Sequence, residues 1–184
     1  ARRLAEHDLS ESQFGVLDMR GRMAGFSGSS NQAVSLDRQG QVPGTEILYS
    51  VQGNILASEA VVTEAVQALI STRGELTDRV MAAMEAADAK GGDRRCACDK
   101  GPKIEAPCTA KTAHVAYIAI AEKTDQPGVT HNDGNYYAYL SVTDDNIKAG
   151  ESGNPVRTLR MRYDAWVRSG APRLSPPPST PFKP

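Results

Sequence analysis

The order of apolar runs predicts an α+β protein: antiparallel strands, a helical pair, further strands and a closing helix. Three observations carry this. Two short apolar runs, residues 13–17 and 22–26, flank Asp18-Met19-Arg20-Gly21, the mark of a hairpin. Val61, Val62, Ala65, Val66, Leu69 and Ile70 then fall on one helical stripe. Residues 114–121 and 136–142 are rich in β-branched and aromatic side chains, and Asn154-Pro155 follows them as a helix start.

Taken in order, residues 27–45 are rich in Ser, Gly, Gln and Pro and predict a surface loop. Residues 47–51 predict a third strand with Ile47, Tyr49 and Val51 on one face. The first helix is expected to start at Ser58 as N-cap and to break at Gly74. The second carries Leu76, Val80, Met84 and Ala87 at helical spacing and stops at Gly91-Gly92. Residues 93–112 are irregular, and residues 126–135 form a turn-rich connection. The last helix presents Val156, Leu159, Tyr163 and Trp166 on one side. From Pro172 there are six prolines in thirteen residues, which cannot form a regular ladder and predict an extended arm. The domain reading is therefore 1–170, with 171–184 as a Pro-rich tail or linker.

Composition narrows function mainly by exclusion. A net charge of −1 on 184 residues gives no basic footprint for nucleic acid or an anionic membrane. No apolar run approaches the roughly 18 residues of a membrane span. The chain opens on Ala-Arg-Arg-Leu-Ala-Glu, with neither Met nor an apolar leader core, and the expectation is a part of a longer product. GxGxxG, P-loop, HExxH and GxSxG motifs do not occur in the sequence. The acidic residues Asp125, Asp133, Asp144 and Asp145 match no EF-hand spacing. No metal and no cofactor is expected.

Cys96, Cys98 and Cys108 sit within thirteen residues. The favoured reading is a disulfide joining Cys108 to Cys96 or Cys98, which implies an oxidising, secreted or extracellular setting. Three thiolates with His114 around zinc, or buried thiols, are the alternatives.

Two further stretches suggest a site. Gln52-Gly53-Asn54 lies where a strand gives way to a helix: Gly53 lets backbone approach a substrate, and Gln52 and Asn54 offer amide donors to a developing oxyanion. A plain turn explains the same residues. Gly91-Gly92-Asp93-Arg94-Arg95 offers a carboxylate to orient an amine and, in Arg94, a cation for an anionic substrate. Its bland counterpart is a helix end with an Asp93–Arg94 ion pair. His114 reads better as structural than as a base, His131 as a loop tip, and the Tyr136–Tyr139 run as core or interface.

The segments Tyr49-Ser50-Val51-Gln52-Gly53-Asn54-Ile55-Leu56-Ala57 and Met84-Glu85-Ala86-Ala87-Asp88-Ala89-Lys90-Gly91-Gly92-Asp93-Arg94-Arg95-Cys96 follow Gln13-Phe14-Gly15-Val16-Leu17-Asp18 and Gly25-Phe26-Ser27-Gly28. In this order, from about Leu4 to about Val142, they closely resemble a domain-of-unknown-function family (the "ten twenty-eight" family) described as Ntn-hydrolase-like. The cysteine region and the last helix resemble its longer, secreted branch. The resemblance implies a four-layer αββα sandwich whose first strands, with a Thr, Ser or Cys nucleophile, precede the part matching this chain. In such enzymes the terminal residue attacks and its own α-amine takes the proton. Ala1 supplies an amine without a nucleophile, and Thr45 after Gly44 is explained by a turn. Two functions are therefore expected: a portion of a secreted amidohydrolase, inactive without an upstream segment or companion chain, or a non-catalytic extracellular assembly or binding module. A homo-oligomer or assembly is expected in either case.

Overall fold

The computed structural model describes residues 9–96, 111–125 and 135–174. The chain separates into two compact units, residues 1–113 and 114–184. Strands β1 (Gln13–Leu17), β2 (Met23–Ser27), β3 (Leu36–Gln41) and β4 (Leu48–Gly53) and helices α1 (Ala60–Ser71) and α2 (Leu76–Ala89) belong to the first. Strands β5 (Val115–Ile120) and β6 (Ala138–Thr143) and helix α3 (Pro155–Arg168) belong to the second. The α+β class stands, and each sheet is an antiparallel pair: β1–β2, β3–β4 and β5–β6.

In the first unit the expected hairpin forms with Phe14 opposite Phe26 and Gly15 opposite Gly25. Its turn is tied by Asp18, whose Oδ1 accepts from the backbone N–H of Arg20 at 2.9 Å and of Arg22 at 3.0 Å. These bonds to Arg22 hold the Asp18 carboxyl below its ordinary pKa. The strand predicted at residues 47–51 is found as β4, one residue later; its Tyr49 and Val51, with Ile47 just before it, pack on the core made by Val42, Ala65, Leu69 and Ala83.

Three expectations are corrected in this unit. Residues 27–45 are not all loop: Leu36–Gln41 is a strand paired with β4, Asp37 opposite Gln52 and Gln39 opposite Ser50. Its sequence, LDRQGQ, has no alternating apolar signal because one of its faces lies in a polar layer. The first helix opens at Ala60 with Glu59 at the N-cap position and no side-chain cap bond. Ser58 contributes its carbonyl, which accepts from Val61 N at 3.2 Å. In α2 the buried line is Thr77, Met81 and Ala83, while Leu76 is 43% exposed. Packing on α1 turns the helix so that Met81 is sealed completely. The N-terminal turn of α2 is closed by a capping box between Glu75 and Asp78.

The helix pair covers one face of β3–β4 and the β1–β2 hairpin faces the other, so this unit is built in three layers.

The second unit is one helix on one hairpin. The inner faces of β5 and β6 bury Ala116, Ile118, Ala138 and Val142, and α3 buries Val156, Leu159, Tyr163 and Trp166, the stripe expected from sequence. Asn154 caps α3 as expected, its side chain accepting from Val156 N at 3.0 Å, with Pro155 at the first helical position. Arg162 is a hub: it meets both carboxylate oxygens of Glu151 at 2.8 and 2.6 Å and donates to the Ser141 and Asn146 carbonyls. The arm begins against this unit. Trp166 Nε1 donates to the Pro172 carbonyl at 2.7 Å, Leu174 N donates to Tyr137 O at 3.1 Å, and Arg173 pairs with Asp125 and Glu122. The rest of the Pro-rich tail lies outside the described residues, as do Cys98, Cys108, His131 and most of the 126–135 connection.

Among the described residues, no helix is long and apolar enough to cross a membrane, and no group of three or more His, Cys, Asp or Glu is placed to hold a metal.

Candidate functional site

The most unusual chemistry of the first unit lies between β1–β2 and β3–β4. Alternation along the strands sends Gln13, Gly15, Gly25 and Ser27 of the hairpin toward Asp37, Gln39, Ser50 and Gln52 of the facing sheet. A side chain at Gly15 would meet Gln52 Oε1 at 2.4 Å and Ser50 Oγ at 3.0 Å. One at Gly25 would meet Asp37 Oδ2 at 2.0 Å and Gln39 Nε2 at 2.6 Å. The paired glycines therefore give up their own side-chain space to the polar groups opposite. This is why both strands carry a glycine at the same register position, and why a polar segment can be an inner strand.

At one end the layer closes into a hydrogen-bonded cluster. Gln13 Nε2 reaches Ser27 Oγ at 2.8 Å, the Gly53 carbonyl at 3.0 Å and Ser35 Oγ at 3.3 Å, one of its two hydrogens being shared between acceptors. Ser35 Oγ donates to Ser27 Oγ at 3.0 Å. Beside it, Asn54 Nδ2 donates to Asn31 Oδ1 at 2.9 Å, and Asn31 Nδ2 donates to Ser12 O at 2.7 Å. An amide nitrogen carries two hydrogens, so Asn54 keeps a second donor beyond this bond.

The two sequence motifs meet through backbone. Ala57 N donates to Gly92 O and Arg94 N to Ile55 O, both at 2.9 Å, around an antiparallel bridge between Leu56 and Asp93. Ile55 sits at φ 53°, unusual for a β-branched residue. It is held there from both sides, by Gln32 O on its N–H and Arg94 N on its carbonyl. Gly91 and Gly92 (φ 94° and 54°) are needed for this approach: a side chain at Gly92 would come 2.4 Å from Thr112 O, and one at Gly91 would come 2.8 Å from Ala57 Cβ.

Each sequence-predicted residue can now be placed. Gln52 is exposed on β4 and lies over Gly15. Gly53 is packed by Leu56, whose Cδ2 lies 2.8 Å from where a side chain would start. Asn54 sits beside the polar cluster. Asp93 faces Arg95 rather than Arg94: its oxygens accept from Arg95 N at 2.8 Å, from Nε at 3.0 Å and from Nη2 at 2.5 Å. That carboxylate raises the Arg95 pKa above its ordinary value. Arg94 is exposed. Cys96 is buried. The backbone thus brings 53–57 and 91–94 together, while the Asp93 side chain is committed to its own turn. In the second unit, His114 Nδ1 lies 3.1 Å from Asp144 Oδ2.

Sequence reasoning missed Asp37, Gln39, Asn31, Gln13 and the Gly15–Gly25 pair. A signal existed: Asp37, Gln39 and Gln41 alternate at period two, and Gly15 and Gly25 sit at equivalent places in their strands. An open groove beside the hairpin turn, lined by Leu17, Met19, Leu48 and Leu76 among others, contains none of the site residues.

Residues 2–101 match the model of a family described as a family of unknown function (DUF1028). This match stops well short of Val142, where the motif resemblance ends. No curated protein matches the chain. Among solved structures the chain is similar to the crystal structure of protein SPO2555 from Silicibacter pomeroyi, which carries the same family label. The two share 19% identity and a TM-score of 0.51, over 84% of this chain and 52% of that one. The chain thus spans about half the length of that protein, and at this identity the likeness concerns fold alone.

Proposed function

The chain belongs to the family of unknown function DUF1028, and from that premise we propose that it forms part of a secreted amide-hydrolysing body of the terminal-nucleophile type. The observation that carries the reading is the glycine-floored polar layer between two facing antiparallel sheets. A helix pair, a sheet and a facing hairpin supply three layers of an αββα sandwich, and the fourth layer and first strands would come from an upstream segment or companion chain. Apart from the Asp37 carboxylate the layer is lined by neutral amides and hydroxyls, which suit a substrate that is itself an amide because they hydrogen-bond it as donors and acceptors.

In this mechanism a terminal Thr, Ser or Cys, supplied from that segment, attacks the carbonyl carbon and its α-amine takes the proton. The carbonyl oxygen becomes an oxyanion. Asn54, through its second Nδ2 hydrogen, and Gln52 are the donors for it. Gly53 keeps the strand end narrow, and Arg94 is the cation for an anionic substrate group. Asp93 acts as a positioning residue: by closing the turn with Arg95 it fixes the backbone that holds Ile55 and therefore Asn54. Pairing among Cys96, Cys98 and Cys108 would suit the oxidising compartment proposed.

The test is intact-mass and N-terminal sequencing of native material, followed by a hydroxyl- and thiol-reactive β-lactone. A Thr, Ser or Cys terminus labelled by the probe supports the hydrolase, whose labelling should fall by about a hundredfold in Asn54→Ala, the scale of losing one oxyanion donor. Native material with no such terminus and no labelling would refute it. The disulfide fails if the unreduced protein shows three reactive thiols.

A second reading is a non-catalytic extracellular binding or assembly module. It is favoured by one observation: Asp93–Arg95, Asn54–Asn31 and the Gln13 cluster already partner one another. An ordered native oligomer without a labelled terminus would select it.

A further inference from the structure

We propose that Asp37 and Gln52 form a binding site for a primary ammonium adjoining an amide, the group at the amino end of a peptide or of an amino-acid amide. The two are direct cross-strand partners on β3 and β4, which places their side chains about 5 Å apart on one face. Both look into the polar layer rather than toward the helices, since they lie where side chains at Gly25 and Gly15 would otherwise stand.

Their hydrogen-bonding capacity is unspent. The Asp37 carboxylate accepts a side-chain hydrogen bond from Gln39 Nε2, 2.9 Å from Oδ2. Among the described residues it has no ion pair and no other side-chain bond, and Oδ1 is not among the sealed polar atoms. The Gln52 amide makes no hydrogen bond among the described residues.

Asp37 is also the sole charge on the inward faces of these four strands; its companions there are Gln, Ser, Gly and apolar residues. Arg38 lies on the opposite face of the strand and donates to the Asp37 backbone carbonyl. A half-buried carboxylate without a cation gains most from a ligand that brings one, because the pair forms in surroundings less polar than bulk water. The neighbouring Gln52 then gives the ligand's amide both a donor and an acceptor. An anion would meet repulsion from Asp37, and an apolar ligand would leave Gln52 unsatisfied. Asp37 Oδ2 and Gln52 Oε1 already rest against Gly25 and Gly15, so a ligand reaches the pair from the solvent side, where Gln52 is exposed.

The inference deepens the amide-hydrolase reading by naming its substrate end, but its test is binding alone. Isotope-labelled full chain is titrated with glycinamide while the side-chain amide resonances of Gln52 and Gln39 are followed by NMR. Saturable shifts are expected, with N-acetylglycinamide, which has no ammonium, weaker by about tenfold or more. Asp37→Asn should lose a similar factor, and Gln52→Ala should weaken glycinamide but not methylammonium. Equal binding of the acetylated probe to the unaltered chain would overturn the site whatever the variants do. So would unchanged binding to Asp37→Asn, or the absence of any saturable shift. A labelled terminus without glycinamide binding removes only this proposal. Glycinamide binding without a labelled terminus keeps the site and removes the hydrolase.

Discussion

Replacing Gly92 by alanine tests whether the meeting of the two motifs is built from backbone geometry. Gly92 has φ 54°, where an L side chain costs about 1–2 kcal/mol. The added methyl would also lie 2.4 Å from the Thr112 carbonyl oxygen and 2.9 Å from Thr112 Cβ. That oxygen belongs to backbone and cannot swing aside. It also accepts from Asp93 N at 3.1 Å, so moving it weakens a bond worth about 1 kcal/mol. Gly44→Ala is the control within the same unit: φ is 73° and nothing lies within 4 Å. Backbone strain alone predicts about 1 kcal/mol for Gly44→Ala, and strain plus collision about 3 kcal/mol for Gly92→Ala. Urea unfolding followed by circular dichroism gives the difference. Equal losses within about 0.5 kcal/mol would show that the approach of 91–94 to Thr112 is not a tight contact, and the account of why two glycines occur there would fail.

Other outcomes follow from single contacts. Glu151, held by Arg162 and the Lys148 backbone, has its pKa lowered from 4.5 to about 2. Since the folded value is depressed, its contribution is complete above the unfolded pKa and is lost as pH falls from about 4.5 toward about 2. Glu151→Gln should cost roughly 1–2 kcal/mol at pH 7 after allowance for solvent screening, and should flatten the acid limb of a melting-temperature series; an unchanged limb would count against the clamp. Asn154→Ala removes the N-terminal side-chain cap bond of α3 and should cost about 1 kcal/mol, against a few tenths for Asn154→Gly, read by thermal melting.

Much of the fold is legible locally. The β1–β2 hairpin follows from two apolar runs and one Asp-rooted turn, and the α3 stripe Val156, Leu159, Tyr163 and Trp166 from periodicity with an Asn-Pro start. Strand β3 is not legible that way. One face of β3 lies in a polar layer and the other carries Arg38 and Gly40, so no apolar residues alternate along it; Asp37, on which the ammonium site rests, disappears with its period-two companions Gln39 and Gln41 into an apparent loop. The orientation of α2 is similarly hidden, because Leu76, Val80 and Met84 are as apolar as Met81 and only contact with α1 selects between them.

The sequence by itself determined the α+β class, the family motifs, the helix start at Asn154-Pro155, the end of the second helix before Gly91-Gly92, and the strand-to-helix passage at Gln52-Gly53-Asn54, whereas the first helix ends at Ser71, ahead of Gly74. These rest on interactions between residues a few positions apart, where backbone preference and side-chain spacing act directly. Only the tertiary structure decided that Gly15 and Gly25 face Asp37, Gln39, Ser50 and Gln52, and that Ala57 and Arg94 join the two motifs. It also decided that Asp93 belongs to Arg95. Such choices are made between segments distant in sequence, where complementarity of shape and hydrogen bonding selects the partner and hydrophobic pattern carries no record of it.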